Sequence, residues 1–233
     1  MAEPQTRTIP AASVGLPTGR VVDLTHVLLP GKEQYTLEVA RRNERHGAEG
    51  DIMSVVYLWS HVGTHVEAPL HFLAAGGDTA SIAIERLMGP AIVLDFRHKG
   101  VSEPIGLDEI RAAGEILVGD RVLTMTGRQE QYRTPQSHDR PYITEEAMRW
   151  LVEDRKIACL GTDSSGFEVR GVTTYPNHRL LNEAGIPVLE CLTNLTELRS
   201  QRVYLVALPW PVAGLDACPV RAVAIEPEPE MGA

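Results

Sequence analysis

Three histidines and a glutamate occupy alternate positions of one short segment, residues 61–72, with the sequence HVGTHVEAPLHF. His61, His65, Glu67 and His71 are all odd-numbered, whereas the even positions are mostly apolar. Because side chains of an extended chain alternate between two faces, one face would pack and the other would present three imidazoles and a carboxylate. These nitrogen and oxygen donors suit a divalent metal ion.

The segment cannot be one straight strand. At about 3.3 Å per residue, His61 and His65 would lie roughly 13 Å apart, whereas donors to one metal ion must lie within about 4 Å of each other. The chain must therefore bend, and Gly63 and Pro69 are suited to the bends. The spacing of the first two histidines also occurs in the zinc-protease helix H-E-x-x-H, but the required Glu is absent and Gly63, Thr64 and Pro69 oppose a helix.

Composition limits the classes of partner. The chain has 233 residues, enough for one large or two small domains, and a net charge of −9. Without a basic stretch, nucleic acid and anionic membranes are not expected as partners, so we predict a small-molecule substrate. Cys159, Cys191 and Cys218 are far apart and form no C-x-x-C motif, which indicates buried thiols in a reducing compartment. With no apolar signal segment at the N-terminus, we expect a cytoplasmic protein.

Apolar periodicity and turn residues predict a mixed α/β domain rather than a doubly wound one. The absence of G-x-G-x-x-G and P-loop motifs gives nucleotide binding no support. We expect a loose lead-in over residues 1–18, one domain over 19–226 and a frayed tail over 227–233. Strands are predicted at 20–24, 55–61, 91–96, 121–126, 156–160, 187–192, 202–208 and 220–225, and helices at 81–88, 107–113, 143–155 and 178–184.

Two downstream residues could add donors to the histidine segment. Glu190 lies among apolar residues of a predicted strand, where a buried carboxylate would need a partner or a metal ion, although a solvent-facing position is equally open. His178 opens a short predicted helix, and by itself would be read as a surface residue. The polar turn Gly161–Gly166 follows a predicted strand and is either a pocket wall or an ordinary turn.

Other residues near these motifs have simpler expected roles. His26 follows the first strand and could support a ligand. His98 and His138 lie in polar loops, where we expect them to be solvated. Trp59 and Phe167 are aromatic candidates for substrate contact, but we expect both to pack in the core.

Residues 61–71 resemble the signature H-x-G-T-H-x-D-x-P-x-H of the metal-dependent cyclase family, which includes bacterial kynurenine formamidase and isatin hydrolase. Asp23-Leu-Thr-His26 and Gly161-Thr-Asp-Ser164 resemble further family motifs. Blocks at 178–181, 185–190 and 192–195 resemble the C-terminal part of the family. The resemblance therefore covers roughly residues 20–205, nearly the whole chain.

The resemblance implies a swivelling β/β/α fold, a homodimer or higher oligomer, and zinc or, alternatively, manganese as one or two bound ions. It also implies that His71 is the catalytic acid/base. The implied metal ligands are His61, His65, Glu67, His178 and Glu190. The family usually has Asp where this chain has Glu67, and the longer side chain could lose the ability to bridge two ions.

We therefore predict a metal-dependent hydrolase that cleaves a C–N bond of a small amide, formamide or lactam. Hydroxide formed on the metal would attack the carbonyl carbon, and His71 would carry a proton to the leaving nitrogen. One alternative is a cyclase or dehydratase that uses the metal as a Lewis acid. Another is a protein that binds metal or a ligand without turnover.

Overall fold

The computed structural model describes residues 17–42 and 52–227. The predicted lead-in and tail lie almost wholly outside these ranges and stay predictions. Within the described ranges, no helix is both long and apolar enough to cross a membrane.

Strands outnumber helices, as the sequence predicts, and the mixed α/β class is confirmed. The strands are β1 (Gly19–Asp23), β2 (Leu37–Arg42), β3 (Met53–Leu58), β4 (His65–Glu67), β5 (Met88–Asp95), β6 (Pro104–Ile105), β7 (Arg121–Met125), β8 (Tyr142–Ile143), β9 (Cys159–Thr162), β10 (Val188–Glu190), β11 (Arg202–Pro209) and β12 (Ala217–Pro227). The helices are α1 (Ile84–Leu87), α2 (Leu107–Ala113), α3 (Glu145–Glu153) and α4 (Pro176–Glu183).

Seven of the strands close into a barrel-like ring in the order β12, β11, β5, β7, β9, β10 and β4, with β4 pairing back to β12. Strands β5, β7, β9 and β10 run parallel, and the other pairings in the ring are antiparallel. Strand β1 pairs with the C-terminal half of β12. Strand β4 is only three residues long, yet both of its edges are paired, to β10 and to β12.

Hydrophobic side chains pack in two layers that follow the alternation of the strands. Val66, Val93 and Leu205 belong to the cluster inside the ring. Ile92 and Leu160 belong to the second cluster, which joins the outer face of the ring to helices α2, α3 and α4. Each fully buried Leu or Ile in these layers contributes about 1.5–3 kcal/mol. The ring is therefore held by apolar packing on both of its faces.

Helices α2 and α3 match their predictions. Helix α2 has the predicted bounds, and α3 begins after Thr144, whose hydroxyl accepts a hydrogen bond from the Ala147 N–H at 3.3 Å. The buried face of α3 contains Met148 and Leu151, at the spacing that predicts an amphipathic helix.

The structure differs from two local predictions. The predicted strand 55–61 ends at Leu58, so it does not run into the histidine segment. The predicted helix 81–88 shrinks to the single turn Ile84–Leu87, because Met88, Gly89 and Pro90 pair with β11 as the start of β5. Strand β2, which lacks a strong apolar pattern, was not predicted.

The polar turn after β9 is a buried structural link. Gly161 and Thr162 belong to the strand itself. The buried carboxylate of Asp163 accepts hydrogen bonds from the N–H and hydroxyl of Thr126, at 2.8 and 2.6 Å, and from the Gly127 N–H at 2.8 Å. Asp163 therefore ties the end of β9 to the end of β7.

We expect Asp163→Ala to lower the free energy of unfolding by about 2–5 kcal/mol, because three donors would lose their acceptor in a buried place. Asp154→Ala, at an exposed position that caps the end of α3, should change it by less than about 0.5 kcal/mol. Urea titration followed by circular dichroism measures both. Equal effects of the two substitutions would contradict the structural role of Asp163.

Candidate metal centre

Two neighbouring strands place three of the predicted donors on one face. Because Val66 points into the ring, His65 and Glu67 point outwards from β4. Glu190 on β10 stands directly opposite His65 in the antiparallel register. All three side chains are buried. Glu190 is therefore a buried carboxylate beside the histidine segment rather than a solvent-facing strand end.

Two bends bring the flanking histidines to the same place. Gly63 follows His61 with φ of +72°, a left-handed conformation, and a Cβ there would lie 2.2 Å from Leu28 Cδ2. His71 lies in a short 3₁₀ turn that begins at Pro69. The bends predicted at Gly63 and Pro69 are thus confirmed, and His61 sits in a turn instead of a strand.

Helix α4 supplies the fourth histidine. His178 is buried near the start of this helix, which opens with Pro176. The ring of Phe167 stacks on His178 with centroids 4.4 Å apart, and Phe72 lies against the same imidazole at 5.1 Å. Phe167 is itself buried in the core, as expected, and its packing also fixes the orientation of His178.

All four imidazoles present the same ring nitrogen, Nε2, to the centre of the cluster. In each ring a partner contacts Nδ1, which leaves Nε2 directed towards Glu67. The contacts to Nδ1 are the Ser60 hydroxyl for His61 at 3.0 Å, the Gly63 carbonyl for His65 at 2.8 Å, Asp216 for His71 at 3.2 Å and Glu168 for His178 at 3.1 Å. Where the partner is a carbonyl or carboxylate oxygen, Nδ1 carries the proton that it donates, and the Nε2 lone pair of the neutral ring is free to ligate.

The separations inside this cluster suit a cation better than direct hydrogen bonds. Glu67 Oε1 lies 3.5, 3.8 and 3.7 Å from the Nε2 atoms of His61, His65 and His71, and Oε2 lies 3.7 Å from that of His178. Hydrogen bonds to nitrogen usually span about 2.7–3.2 Å, whereas two ligands about 2.1 Å from a tetrahedral ion lie about 3.4 Å apart.

Several donor atoms of the cluster lack a hydrogen-bond partner. Among the described residues, the buried Nε2 atoms of His61 and His65 and the Oε2 atom of Glu67 make no hydrogen bond. Buried polar atoms are rarely left unsatisfied. The residues present therefore fit a divalent metal ion.

The donors form three overlapping groups, and within each group the ligand atoms lie within 4.8 Å of one another. Glu67 belongs to two of these groups, with Oε1 towards one and Oε2 towards the other. Although glutamate is longer than the aspartate of the family signature, the carboxylate of Glu67 therefore faces both groups. The groups are His61, His65 and Glu67; Glu67, His178 and Glu190; and His61, His71 and Asp216.

Electrostatics tie the cluster together. Burial alone would raise the pKa of Glu67, but the surrounding imidazoles hold that pKa well below its usual range. Burial alone would lower the pKa of His178, but hydrogen bonds to Glu168 and Glu190 outweigh burial and raise it to about 10. The pKa of His65 is also raised, because Glu67 and Glu190 outweigh its burial.

The cluster lies in the wall of a cavity of about 690 Å³. Trp59 lines this cavity, is 54% exposed and stacks on Tyr35, so the expectation that it packs in the core is wrong. His138 is exposed in a loop, as expected, but it also lines the cavity and lies 3.1 Å from the Ser165 hydroxyl. Through Ser165, the turn after β9 contributes to a pocket wall as well as to the fold.

The remaining histidines lie outside the donor groups. His98 is exposed, as expected. The His26 ring stacks on Tyr132 with centroids 4.3 Å apart, and burial lowers its pKa to about 4. Its backbone N–H donates to the Thr64 hydroxyl beside His65, so His26 supports the histidine segment through the backbone.

Sequence reasoning missed Asp216, Glu168 and Arg140. Asp216 and Glu168 contact the histidines at Nδ1, and Arg140 lines the cavity. Asp216 precedes β12, and only the pairing of β12 with β4 brings it beside His71. No local spacing in the sequence links these residues to the histidine segment.

Comparisons with known proteins show which family this chain resembles. The family model named "Cyclase" matches residues 22–169. The chain is 32% identical over 209 residues to kynurenine formamidase of Salinibacter ruber, covering 88% of this chain and 93% of that protein. It is 27% identical to isatin hydrolase of Roseibium aggregatum, covering 73% of each chain.

Among solved structures, isatin hydrolase A from Labrenzia aggregata superposes with a TM-score of 0.76 at 26% identity, covering 90% of this chain and 94% of that one. The family model matches more than half of the chain, and the match to the Salinibacter ruber protein spans nearly the whole length of both proteins. The chain therefore belongs to the cyclase family.

Proposed function

We propose that this protein is a metal-dependent hydrolase that cleaves a non-peptide C–N bond in a small amide, formamide or lactam. The observation that carries the proposal is the convergence of four imidazole Nε2 atoms on the shared carboxylate of Glu67. The similarity to a kynurenine formamidase and to an isatin hydrolase supports the same reaction class.

The donor groups suggest two metal positions. His61, His65 and Glu67 would hold one ion, and Glu67, His178 and Glu190 would hold a second. Imidazole and carboxylate donors suit zinc, with manganese as the alternative. A bound ion of this kind lowers the pKa of water from 15.7 towards about 7 and polarises a carbonyl oxygen.

His71 is the residue best suited to move protons. Its side chain is 27% exposed, compared with 3% for His65 and 6% for His178, so substrate in the cavity can reach it. Asp216 contacts Nδ1 and orients the ring, which leaves Nε2 for proton transfer. His71 would accept a proton from the attacking water and deliver it to the leaving nitrogen.

Two further features support proposals about assembly and location. Val39 on β2 and Val56 on β3 stand opposite each other on one face of this strand pair and are 49% and 48% exposed, an apolar surface that suits association with a second copy. We therefore propose a homodimer or higher oligomer, which light scattering would measure.

The proposed location is the cytoplasm. The three cysteines are free and buried, which suits a reducing compartment.

We expect His71→Ala to lower turnover of N-formyl amines or lactams by about 10²–10⁴-fold while the metal content stays unchanged. His98→Ala, at an exposed position, is the control and should change neither quantity. Loss of metal together with activity would make His71 a ligand, as the third donor group allows. If the metal-loaded protein cleaved no C–N substrate, a cyclase or dehydratase would be favoured.

We expect Glu67→Gln to lower the metal content from two ions per chain to less than one, because an amide removes the negative charge from both positions. Glu67→Asp, which retains the carboxylate, should keep most of the metal. Elemental analysis of proteins loaded with zinc measures this, with near-ultraviolet circular dichroism as a check on folding. Full metal content in the Gln variant would rule out a bridging role for Glu67.

We expect zinc binding to release protons and to tighten as the pH rises from 6 to 9. In the metal-free protein the pKa of His178 is about 10, above its usual 6.5, so this ring is protonated at neutral pH and must lose its proton to ligate. The contacts of protonated His178 with Glu168 and Glu190 also stabilise the metal-free fold. This contribution is fully present below pH 6.5 and is lost as the pH rises through about 10.

Calorimetry in buffers of different ionisation enthalpy counts the protons released on zinc binding. Zinc affinity that does not change with pH would contradict ligation by His178.

A further inference from the structure

A single arginine faces the cavity that contains the candidate metal centre. Arg140 is 8% exposed, and among the described residues that line this cavity it is the only lysine or arginine. The carboxylates that line the same cavity are Glu67, Glu190 and Asp216, and the other lining groups that can carry charge are mainly histidines. Unlike a histidine that ligates a metal ion, Arg140 keeps its positive charge, and this fixed charge calls for a specific reason.

The guanidinium of Arg140 is poorly satisfied by the protein. Its Nη1 has only long contacts, 3.3–3.4 Å, to the carbonyl and ring of His138 and to the Ser165 hydroxyl. Its buried Nε makes no hydrogen bond within the described part of the chain. None of the hydrogen bonds or ion pairs found between described residues involves Nη2.

Other arginines of this protein show what full pairing looks like. Arg133 donates twice to one oxygen of Glu33 and once to the other, and Arg202 donates to both oxygens of Asp120. Arg140 has no carboxylate within 4.0 Å among the described residues. A buried guanidinium normally has such a partner, because desolvation of an unpaired charge is costly.

Arg140 lies close to one end of the candidate metal centre. At Gly166, where φ is +106°, a Cβ would lie 3.0 Å from Glu190 Oε1 and 3.2 Å from Arg140 Nη2. Both charged groups therefore approach the same point of the backbone. A cation held by Glu190 would repel the guanidinium across this short distance unless an anion lay near both charges.

We propose that Arg140 binds a carboxylate of the substrate, so that the preferred substrates are small aromatic amides that carry an acidic group. This inference rests on the proposed function. Arginine presents parallel N–H groups that match the two oxygens of a carboxylate. Tyr35, Trp59, Phe72 and Tyr175 line the same cavity and provide aromatic surfaces for the remainder of the substrate.

Binding tests the proposal without turnover. Benzoate and benzamide have nearly the same shape but differ in charge, and calorimetry with the zinc-loaded protein measures their dissociation constants. We expect Arg140→Gln to raise the dissociation constant of benzoate at least about tenfold and that of benzamide less than about twofold. Arg140→Lys, which keeps the charge but not the parallel N–H groups, should recover part of the loss.

The matched control is Arg155→Gln. Arg155 also has a buried Nε without a hydrogen-bond partner in the described ranges, but its guanidinium lies over the Trp150 ring and not in the cavity. This variant should bind benzoate like the wild type. Unchanged benzoate affinity in Arg140→Gln and Arg140→Lys, with native near-ultraviolet spectra, would overturn the proposal.

Kinetics separate this proposal from the proposed function. N-formylaniline and its carboxylated derivatives, the N-formyl aminobenzoates, differ only by the acidic group. We expect at least one carboxylated isomer to have a KM at least about tenfold lower than N-formylaniline, and Arg140→Gln to remove that advantage. Cleavage of all of them with equal KM would refute the role of Arg140 and leave the hydrolase intact. No cleavage, with benzoate affinity still dependent on Arg140, would refute the hydrolase alone.

Discussion

The candidate centre depends on the burial of one carboxylate among four imidazoles. Glu67 is 3% exposed, and removing such a charge from water costs several kcal/mol unless partners compensate. Its partners come from a strand, two turns and a helix, so the surrounding fold has to bring distant segments together. The groups that hold Nδ1 of each ring then decide that Nε2, rather than Nδ1, faces the shared carboxylate.

Charge balance explains how this cluster and its cavity fit together. Glu67, Glu168, Glu190 and Asp216 all contact or face the histidines, which gives the site an excess of negative charge. A divalent cation would relieve this excess. Arg140 has no carboxylate partner among the described residues and lies near Glu190, so a cation bound by Glu190 would place a second positive charge beside the guanidinium. An anionic group of the ligand, lying near both, would then balance the two positive charges.

Sequence alone predicted the part of the site that depends on local geometry. The alternation of residues 61–71 and the bends at Gly63 and Pro69 follow from the chain itself, so His61, His65, Glu67 and His71 could be grouped before any fold was known. The class of the fold and helices α2 and α3 also have local signals, namely apolar periodicity and the Thr144 cap. Asp216, in contrast, approaches His71 only through the pairing of β12 with β4, and no spacing rule encodes that pairing. The prediction that Trp59 packs in the core was wrong for a similar reason. Its exposure depends on the distant residue Tyr35, on which it stacks, and on the cavity beside both.

Strand β4 is held on both edges, by β10 and by β12, and its side chains alternate between the packed interior and the donor cluster. Inserting or deleting one residue there would turn Val66 outwards and the ligands inwards, so evolution at this strand is confined to exchanging one side chain for another. Glutamate at position 67, where the family signature quoted above has aspartate, is a difference of this permitted kind. Variation in chain length among relatives should therefore accumulate in the connecting loops, such as residues 73–78 and 210–215, which belong to no strand or helix.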